Sequence, residues 1–554
     1  MRNTSSLLRI ILTLGIAASG FATASAQTPI CPPRPQSGSL VQNPLDLYSQ
    51  NGVLSLDLAM QNGLGSDGYM HYCYVYLYQG QPVEAPTLRL NPGDQLLLNL
   101  TNNLQAPFEF YPPKARRDSK DLLRMDMHQH MSMTMPMGSM HKAGTPDDPC
   151  NPTEVLPSST NIHFHGLNVA PVCHQDDVIH TLIQSGDPAF QYNLQMPAND
   201  APGMYWYHPH VHGYTFTQVN GGASGAIILE RSNPLTDGLT EHVIVIRQEF
   251  GVNVGDPDQG PNLLTVNFQP AIANLRLPYI NAQIGKKEFW RVLNASSAAI
   301  LNLQVQYGGV AQPLEVVSLD GIPLGTPTNY TTINLPPAGR AEFVVPPIAA
   351  DQRGVFLTTG FFSGPIGDLD PPSPLIDIKP SPDGMGSASL KHRPTAAPLG
   401  ARRFSGLKFQ TPTAQRSLYF SEETISSKGP TALFITVVGQ KPHTFHMDDP
   451  PAITTNIGAV EDWTIENRSG EAHVFHIHQL HFLTMAVNGV PVPNPDLIDT
   501  MVIPSWSGTG PYPSITVRMD FRDPNIAGTF VYHCHILDHE DGGMMAKIQV
   551  NPAN

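Results

Sequence analysis

Four short clusters hold ten of the chain's 22 histidines: His163-Phe-His165, His208-Pro-His210, His473-x-x-His476-x-His478, and His533-Cys534-His535 followed by His539 and Met544. Imidazole and thiolate donors suit copper, iron and zinc. Alternate side chains of a β-strand share a face, so each His-x-His pair presents two rings in one direction. Four such pairs supply eight imidazoles. That is too many for one ion and suits three metals at two or three ligands each, with open positions where O2 could bind. The same alternation turns Cys534 away from His533 and His535, so it can bind a separate metal while its neighbours bind the cluster. One Cys, two His and a weak axial Met form the blue-copper set, and His473, Cys534, His539 and Met544 provide those four. The tripeptide gives a short covalent path from thiolate to cluster, a route for electrons rather than a site for hydrolysis.

These clusters need strands that face one another across the chain, and the sequence repeats accordingly. A Gly opens a strand that ends nine residues later in an Asn at Gly93–Asn102, Gly285–Asn294 and Gly458–Asn467. Downstream, a Gly precedes a strand rich in β-branched and aromatic residues at Gly203, Gly339 and Gly528. The pattern predicts three copies of one β-sandwich, with histidines closing the later strand in the first and third copies and a middle copy serving as scaffold. With 54 Pro, 46 Gly and 14% charged residues, the composition fits many short strands joined by turns. The expected fold is all-β, with a first sandwich over 27–235, a second with its linker over 236–400 and a third over 401–554. The Pro-, Ser- and Gly-rich stretch Pro371–Arg403 reads as that linker.

Arg2 and Arg9 precede an apolar run, Ile10–Gly20, that leads to Ala24-Ser25-Ala26, the pattern of an export leader over 1–26. No later run of apolar residues is long enough to span a bilayer. An exported protein, periplasmic or extracellular, is therefore expected. The net charge of −15 gives no basic footprint for nucleic acid or an anionic membrane. Of five cysteines, Cys31, Cys73, Cys150 and Cys173 could pair in an undetermined pattern, leaving Cys534 as the unpaired ligand.

In order and spacing, the four clusters resemble the copper signatures of the multicopper oxidases, laccases included. That resemblance implies three cupredoxin-like Greek-key sandwiches and four copper ions. It implies a type 1 copper on His473, Cys534, His539 and Met544, and a type 2 copper on His163 and His476. The type 3 pair would lie on His165, His208, His210, His478, His533 and His535. It also implies one-electron oxidation of phenols, aromatic amines or reduced metal ions such as Cu(I), coupled to four-electron reduction of O2 to water, in a monomer. The edge of His539 would lie nearest the reducing substrate, and Cys534 would pass each electron on. A Met axial ligand would place the type 1 potential in the lower range. Because O2 reduction consumes protons, carboxylates should serve as relays: Glu540, which matches a family position, and Asp176 or Asp177. His174, His180, His212 and His481 adjoin the motifs without fitting them and are read as ordinary core or surface histidines.

One segment stands apart. Met125, Met127, Met131, Met133, Met135, Met137 and Met140 interleave with His128, His130 and His141 in an insertion over 125–141. Thioethers favour Cu(I), and histidines extend the site to Cu(II), so accessory copper binding is expected there. The alternative reading for the whole chain is a copper-sequestering protein with secondary oxidase activity.

Overall fold

The computed structural model of the chain describes residues 31–65, 68–105, 148–152, 154–250, 262–272, 276–384, 403–424 and 431–553. The expected leader and the Met/His-rich insertion lie outside these residues. The strands pack as three β-sandwiches, each closed over its own apolar core. Leu98, Phe164 and Tyr192 sit in the first core, Ile244, Trp290 and Phe343 in the second, and Trp463, Phe475 and Val517 in the third. The sequence alternation is what makes this possible. Along Gln95–Asn102 every second residue is buried, so Leu96, Leu98 and Leu100 face the core.

One sheet of each sandwich follows the same rule. The Gly-to-Asn strand pairs in parallel with the first strand of that sheet and antiparallel with a later one. The trios are Val53–Leu64, Gln95–Asn102 and Phe190–Gln195; Thr240–Phe250, Glu288–Asn294 and Arg340–Val345; and Ala414–Thr424, Ala459–Asn467 and Ser514–Phe521. Parallel neighbours cannot be joined by a hairpin, so the chain visits the opposite sheet between them. The terminal Asn is buried in every copy and holds the next crossing, by which the chain leaves this strand for the opposite sheet. Asn102 donates to the Ser158 and Ile183 carbonyls and accepts from Leu104 N. Asn294 donates to Ala299 and Leu335 and accepts from Ser296 N, and Asn467 donates to Glu471 and Pro504 and accepts from Ser469 N. A short amide that satisfies three backbone groups at once explains why the pattern ends on Asn.

The second repeat needs correction. Gly203–His208 lies between Gly225–Leu229 and His163–His165, and Gly528–Cys534 lies between Met545–Asn551 and His473–Ile477. The strand in the matching place of the middle sandwich is Gly354–Thr358, between Ser373–Ser381 and Leu301–Tyr307. Arg340–Val345, expected in that role, belongs to the other sheet. Both strands are apolar and follow a glycine, so composition could not tell the sheets apart; pairing does. The linker reading is corrected with it, since Ser373–Ser381 is a strand with Leu375, Ile376 and Ile378 in the second core. Its Pro374 suggested a breaker but falls at a register shift opposite Leu357, where proline is tolerated.

Disulfides join Cys31 to Cys73 and Cys150 to Cys173, and Cys534 is buried and free. Among the described residues no helix is long and apolar enough to cross a membrane.

Removing the buried amide should expose the cost of that crossing. Asn294→Ala leaves two carbonyls and an N–H without partners, and a loss of roughly 2–4 kcal/mol is expected. Urea unfolding followed by Trp fluorescence would read this as a lower midpoint, and an unchanged midpoint would deny the amide its role.

Candidate metal centre

Two pairs of strands bring the imidazoles together. In the first sandwich His163 sits opposite His208, and in the third His476 sits opposite His533. The two sandwiches then meet ring to ring. His163 stacks on His478 at 3.8 Å between centroids and His165 stacks on His476 at 4.1 Å. His210 reaches His533 at 5.1 Å and His165 reaches His535 at 5.1 Å. All eight rings of the four His-x-His pairs are buried, in one cluster across the interface.

The nitrogens of this cluster fit metal ions. His163 Nδ1 is held by Asp176 at 3.0 Å, His208 Nδ1 by the Pro209 carbonyl at 2.8 Å and His476 Nδ1 by the Asp499 carbonyl at 2.8 Å. In all three the Nε2 is buried without a protein partner. Each such orphan costs on the order of 1–3 kcal/mol unless something fills the space. His533 gives its Nδ1 proton to the Cys534 carbonyl, so its Nε2 carries a lone pair, and the Nε2 atoms of His478 and His210 lie 3.2 and 3.4 Å away. Burial, reinforced by neighbouring rings, holds His163, His165, His210, His476, His478 and His535 well below the usual histidine range. Burial brings His208 to about 3 and His533 to about 4. Neutral rings with inward lone pairs are the form that binds metal.

A second group lies on the other face of Gly528–Cys534. Cys534 Sγ is 3.7 Å from His473 Nδ1 and 3.9 Å from His539 Nδ1, and the two nitrogens are 3.2 Å apart. A trigonal ion with bonds of about 2.0–2.3 Å would space its donors by roughly 3.5–3.7 Å, so this triangle is the right size. Burial opposes the thiolate, yet the two imidazoles bring the Cys534 thiol down to about 6. Val474 N–H points to the sulfur at 3.4 Å. Met544 is fully buried, and its backbone bonds to both Cys534 and His539. His473 Nε2 is fixed by Ser469 at 2.8 Å and Glu422 at 3.2 Å, which ties this ring to the Asn467 turn. His539 is 7% exposed while His473 is fully buried, so the His539 edge is the one nearer solvent.

Of the expected relays, Asp176 and Glu540 reach the cluster. Asp176 binds His163, Phe164 N and the Gln479 amide, and burial pushes its carboxyl well up. Glu540 accepts from Thr215 and lies 3.7 Å from His210 Nδ1; burial, then the Asp541 charge beside it, raise its pKa well above the carboxylate range. Asp177 faces the other way and binds the His180 ring at 3.1 Å, because adjacent residues there point to opposite sides. His481 is a satisfied core histidine on the Asp320 carbonyl, and His174 stacks on Phe190.

The sequence reading missed Asp499, Arg340 and Asp320. Asp499 holds His476 through its carbonyl and approaches His165 Nε2 at 3.4 Å through its carboxylate. Arg340 of the middle sandwich grips that carboxylate with two bonds of 2.7 and 2.6 Å. Asp320 in turn accepts from Arg340 N and Asp499 N. The middle sandwich therefore braces the cluster without lending it an imidazole. No motif signals this, because the partners are 159 residues apart.

Family models described as multicopper oxidase match residues 151–234 and 416–554, the two stretches that carry every imidazole of both groups. The chain belongs to the multicopper oxidases. It is thus an oxidoreductase that uses oxygen, and its cofactors are copper ions. A multicopper oxidase of Staphylococcus haemolyticus is 27% identical over 414 residues, covering 71% of this chain and 77% of the relative. A laccase of Bacillus subtilis is 22% identical, covering 66% and 74%. Among solved structures, the Campylobacter jejuni multicopper oxidase, described as a metallo-oxidase, superposes with a TM-score of 0.64 at 20% identity over 95% of this chain and 98% of its own. A laccase-like enzyme from Ochrobactrum with activity towards lignin model compounds gives 0.58 at 20% identity, covering 92% and 100%.

The Arg340–Asp499 pair in this multicopper oxidase carries a pH signature. Burial works against the Asp499 charge, but Arg340 overcomes it and holds the carboxyl below its ordinary value. The stability it contributes is fully present above the unfolded value of about 4 and is lost as pH falls through the lower folded value. Arg340→Met strands a buried carboxylate and should cost roughly 3–5 kcal/mol near neutrality. The double variant with Asp499→Leu should recover much of that. Unfolding midpoints between pH 3 and pH 7 test it; equal loss in single and double variants would count against the pair.

Proposed function

We propose that the thiolate group, His473, Cys534 and His539 with Met544 as a fourth donor, would hold a type 1 copper. His163 and His476 would hold a type 2 copper, and His165, His208, His210, His478, His533 and His535 a type 3 pair. The observation that carries this reading is that Gly528–Cys534 and the residue after it serve both groups, with Cys534 on one face and His533 and His535 on the other. Bound there, copper would supply one-electron acceptance from a reducing substrate and the four-electron reduction of O2 to water. The chain's part is to present neutral imidazoles, to keep Cys534 as thiolate, and to link the two groups by one covalent path. The substrate side is His539, whose Nε2 lies 3.7 Å from the partly exposed Glu471. That carboxylate suits a donor that is cationic or sheds a proton on oxidation, which includes phenols, aromatic amines and reduced metal ions such as Cu(I). The metallo-oxidase and lignin-model activities named for the structural neighbours span the same range.

Asp176 and Glu540 are the acids that serve proton delivery on this reading, since both touch the cluster and burial raises both above the ordinary carboxylate value. The leader pattern over 1–26 and two disulfides support an exported protein in an oxidising compartment. Its sandwiches would span 27–235, 236–400 and 401–554.

Cys534→Ser should abolish the intense thiolate-to-copper absorption and substrate oxidation while the imidazole cluster still takes up copper. Absorption and metal content would be measured side by side, and full oxidase activity in this variant would sink the assignment. Glu540→Gln should slow reoxidation of the reduced enzyme by O2 by roughly 100-fold while reduction by substrate keeps its rate. Stopped-flow measurement of the two half-reactions separates them, and an equal effect on both would remove Glu540 from proton delivery.

A further inference from the structure

A small cavity lies against the imidazole cluster, with about 10 Å³ of free space, room for one water molecule or one bare ion. His210 of the cluster forms part of its wall, with His212, Phe445, Met447 and Met545. Phe445 and Met447 come from a surface loop that also exposes His443, His446 and Asp448. His443 Nε2 lies 3.1 Å from Asp449. Lys547 beside this loop donates to the Met447 carbonyl, and its charge faces Asp448, Asp449 and Asp177. The loop's outer surface therefore offers imidazoles and carboxylates, the cavity behind it thioethers and an imidazole, and its far wall a cluster ring.

The decisive detail is His212 Nδ1, which is buried with no hydrogen-bond partner, its ring edge-on to Phe445 at 5.1 Å. A passage for gas needs no nitrogen donor, and a buried ring nitrogen left unpaired carries a cost that an apolar side chain would avoid. Thioethers together with imidazole are soft donors that select Cu(I). We propose that the cavity bounded by His212, Met447 and Met545 is a transit site for Cu(I), through which the metal reaches the imidazole cluster at His210. The step is ligand exchange alone: Cu(I) leaves thioether and imidazole donors for the His210 ring, and no electron moves. This inference rests on the copper reading of the cluster.

The test uses Ag(I), a redox-inert stand-in for Cu(I), added to crystals of the copper-loaded protein. Anomalous density should appear in the cavity within bonding distance of a Met447 or Met545 sulfur and of His212. In Met447→Leu, with Met545→Leu as the second variant, that density should vanish. Cu(I) should also fill the metal-free variant roughly 10-fold more slowly or worse, while loaded Met447→Leu turns over substrate at the wild-type rate. Silver bound only elsewhere, or filling at the wild-type rate in both variants, overturns the proposal. A raised KM for O2 in loaded Met447→Leu with unchanged filling overturns it in favour of a gas path. If the unaltered chain takes no copper into the cluster, the copper reading itself falls, a result distinct from filling that ignores the variants.

Discussion

Everything in this molecule answers to one constraint: eight uncharged imidazoles from two sandwiches turn their free nitrogens toward one small volume. Lone pairs gathered so closely do not hold the sandwiches together by themselves, so the interface is fastened elsewhere. The Asp541 carboxylate accepts N–H bonds from Gly213, Thr215 and Phe216, pinning the end of the third sandwich to the first. On the opposite side Gln479 binds Asp176, again third to first. Between these fasteners the rings need only small adjustments to meet metal ions, which is the preorganisation that a multi-ion site requires.

The grouping of the imidazoles and the thiol was legible in the sequence for a physical reason. A strand has a period of two, so His-x-His on a strand fixes ring direction without knowledge of the fold, and Cys534 between two histidines fixes the opposite direction. The Gly-to-Asn repeat was legible because a short amide at a strand's end does one local job, and Asn102, Asn294 and Asn467 do it identically. What was not legible depends on pairing over long separations. Gly339 and Gly354 both open apolar strands, and only hydrogen bonding shows which one stands where Gly203 and Gly528 stand. Asp177 and Asp176 are neighbours of the same type, and only burial distinguishes the one that holds His163. Arg340 and Asp499 carry no signature, since arginines and aspartates are common and their value here comes from being placed together in the dark of an interface.

The middle sandwich gains its purpose from that pair. A copy without imidazoles reads as a spacer, yet its Arg340 guanidinium neutralises the carboxylate beside His165, and its Asp320 fixes the backbone whose carbonyl orients His476. It sets the charge beside, and the angle of, rings that belong to its neighbours. The repeated fold thus shares its labour: two copies hold rings, and the third holds what holds the rings.

The order of ligands along the chain has a consequence for biosynthesis. His163 and His165 lie early and Gly528–Cys534 near the end, so the first two sandwiches can fold while the third is still being synthesised. Until the last strands emerge, four imidazoles of the first sandwich stand without their partners, and the thiolate group does not exist. Filling of either group must therefore await the last strands, and a chain truncated by its last two strands would lose Cys534, His533 and His535 together with Phe530, Tyr532, Ile548 and Val550 of the third core.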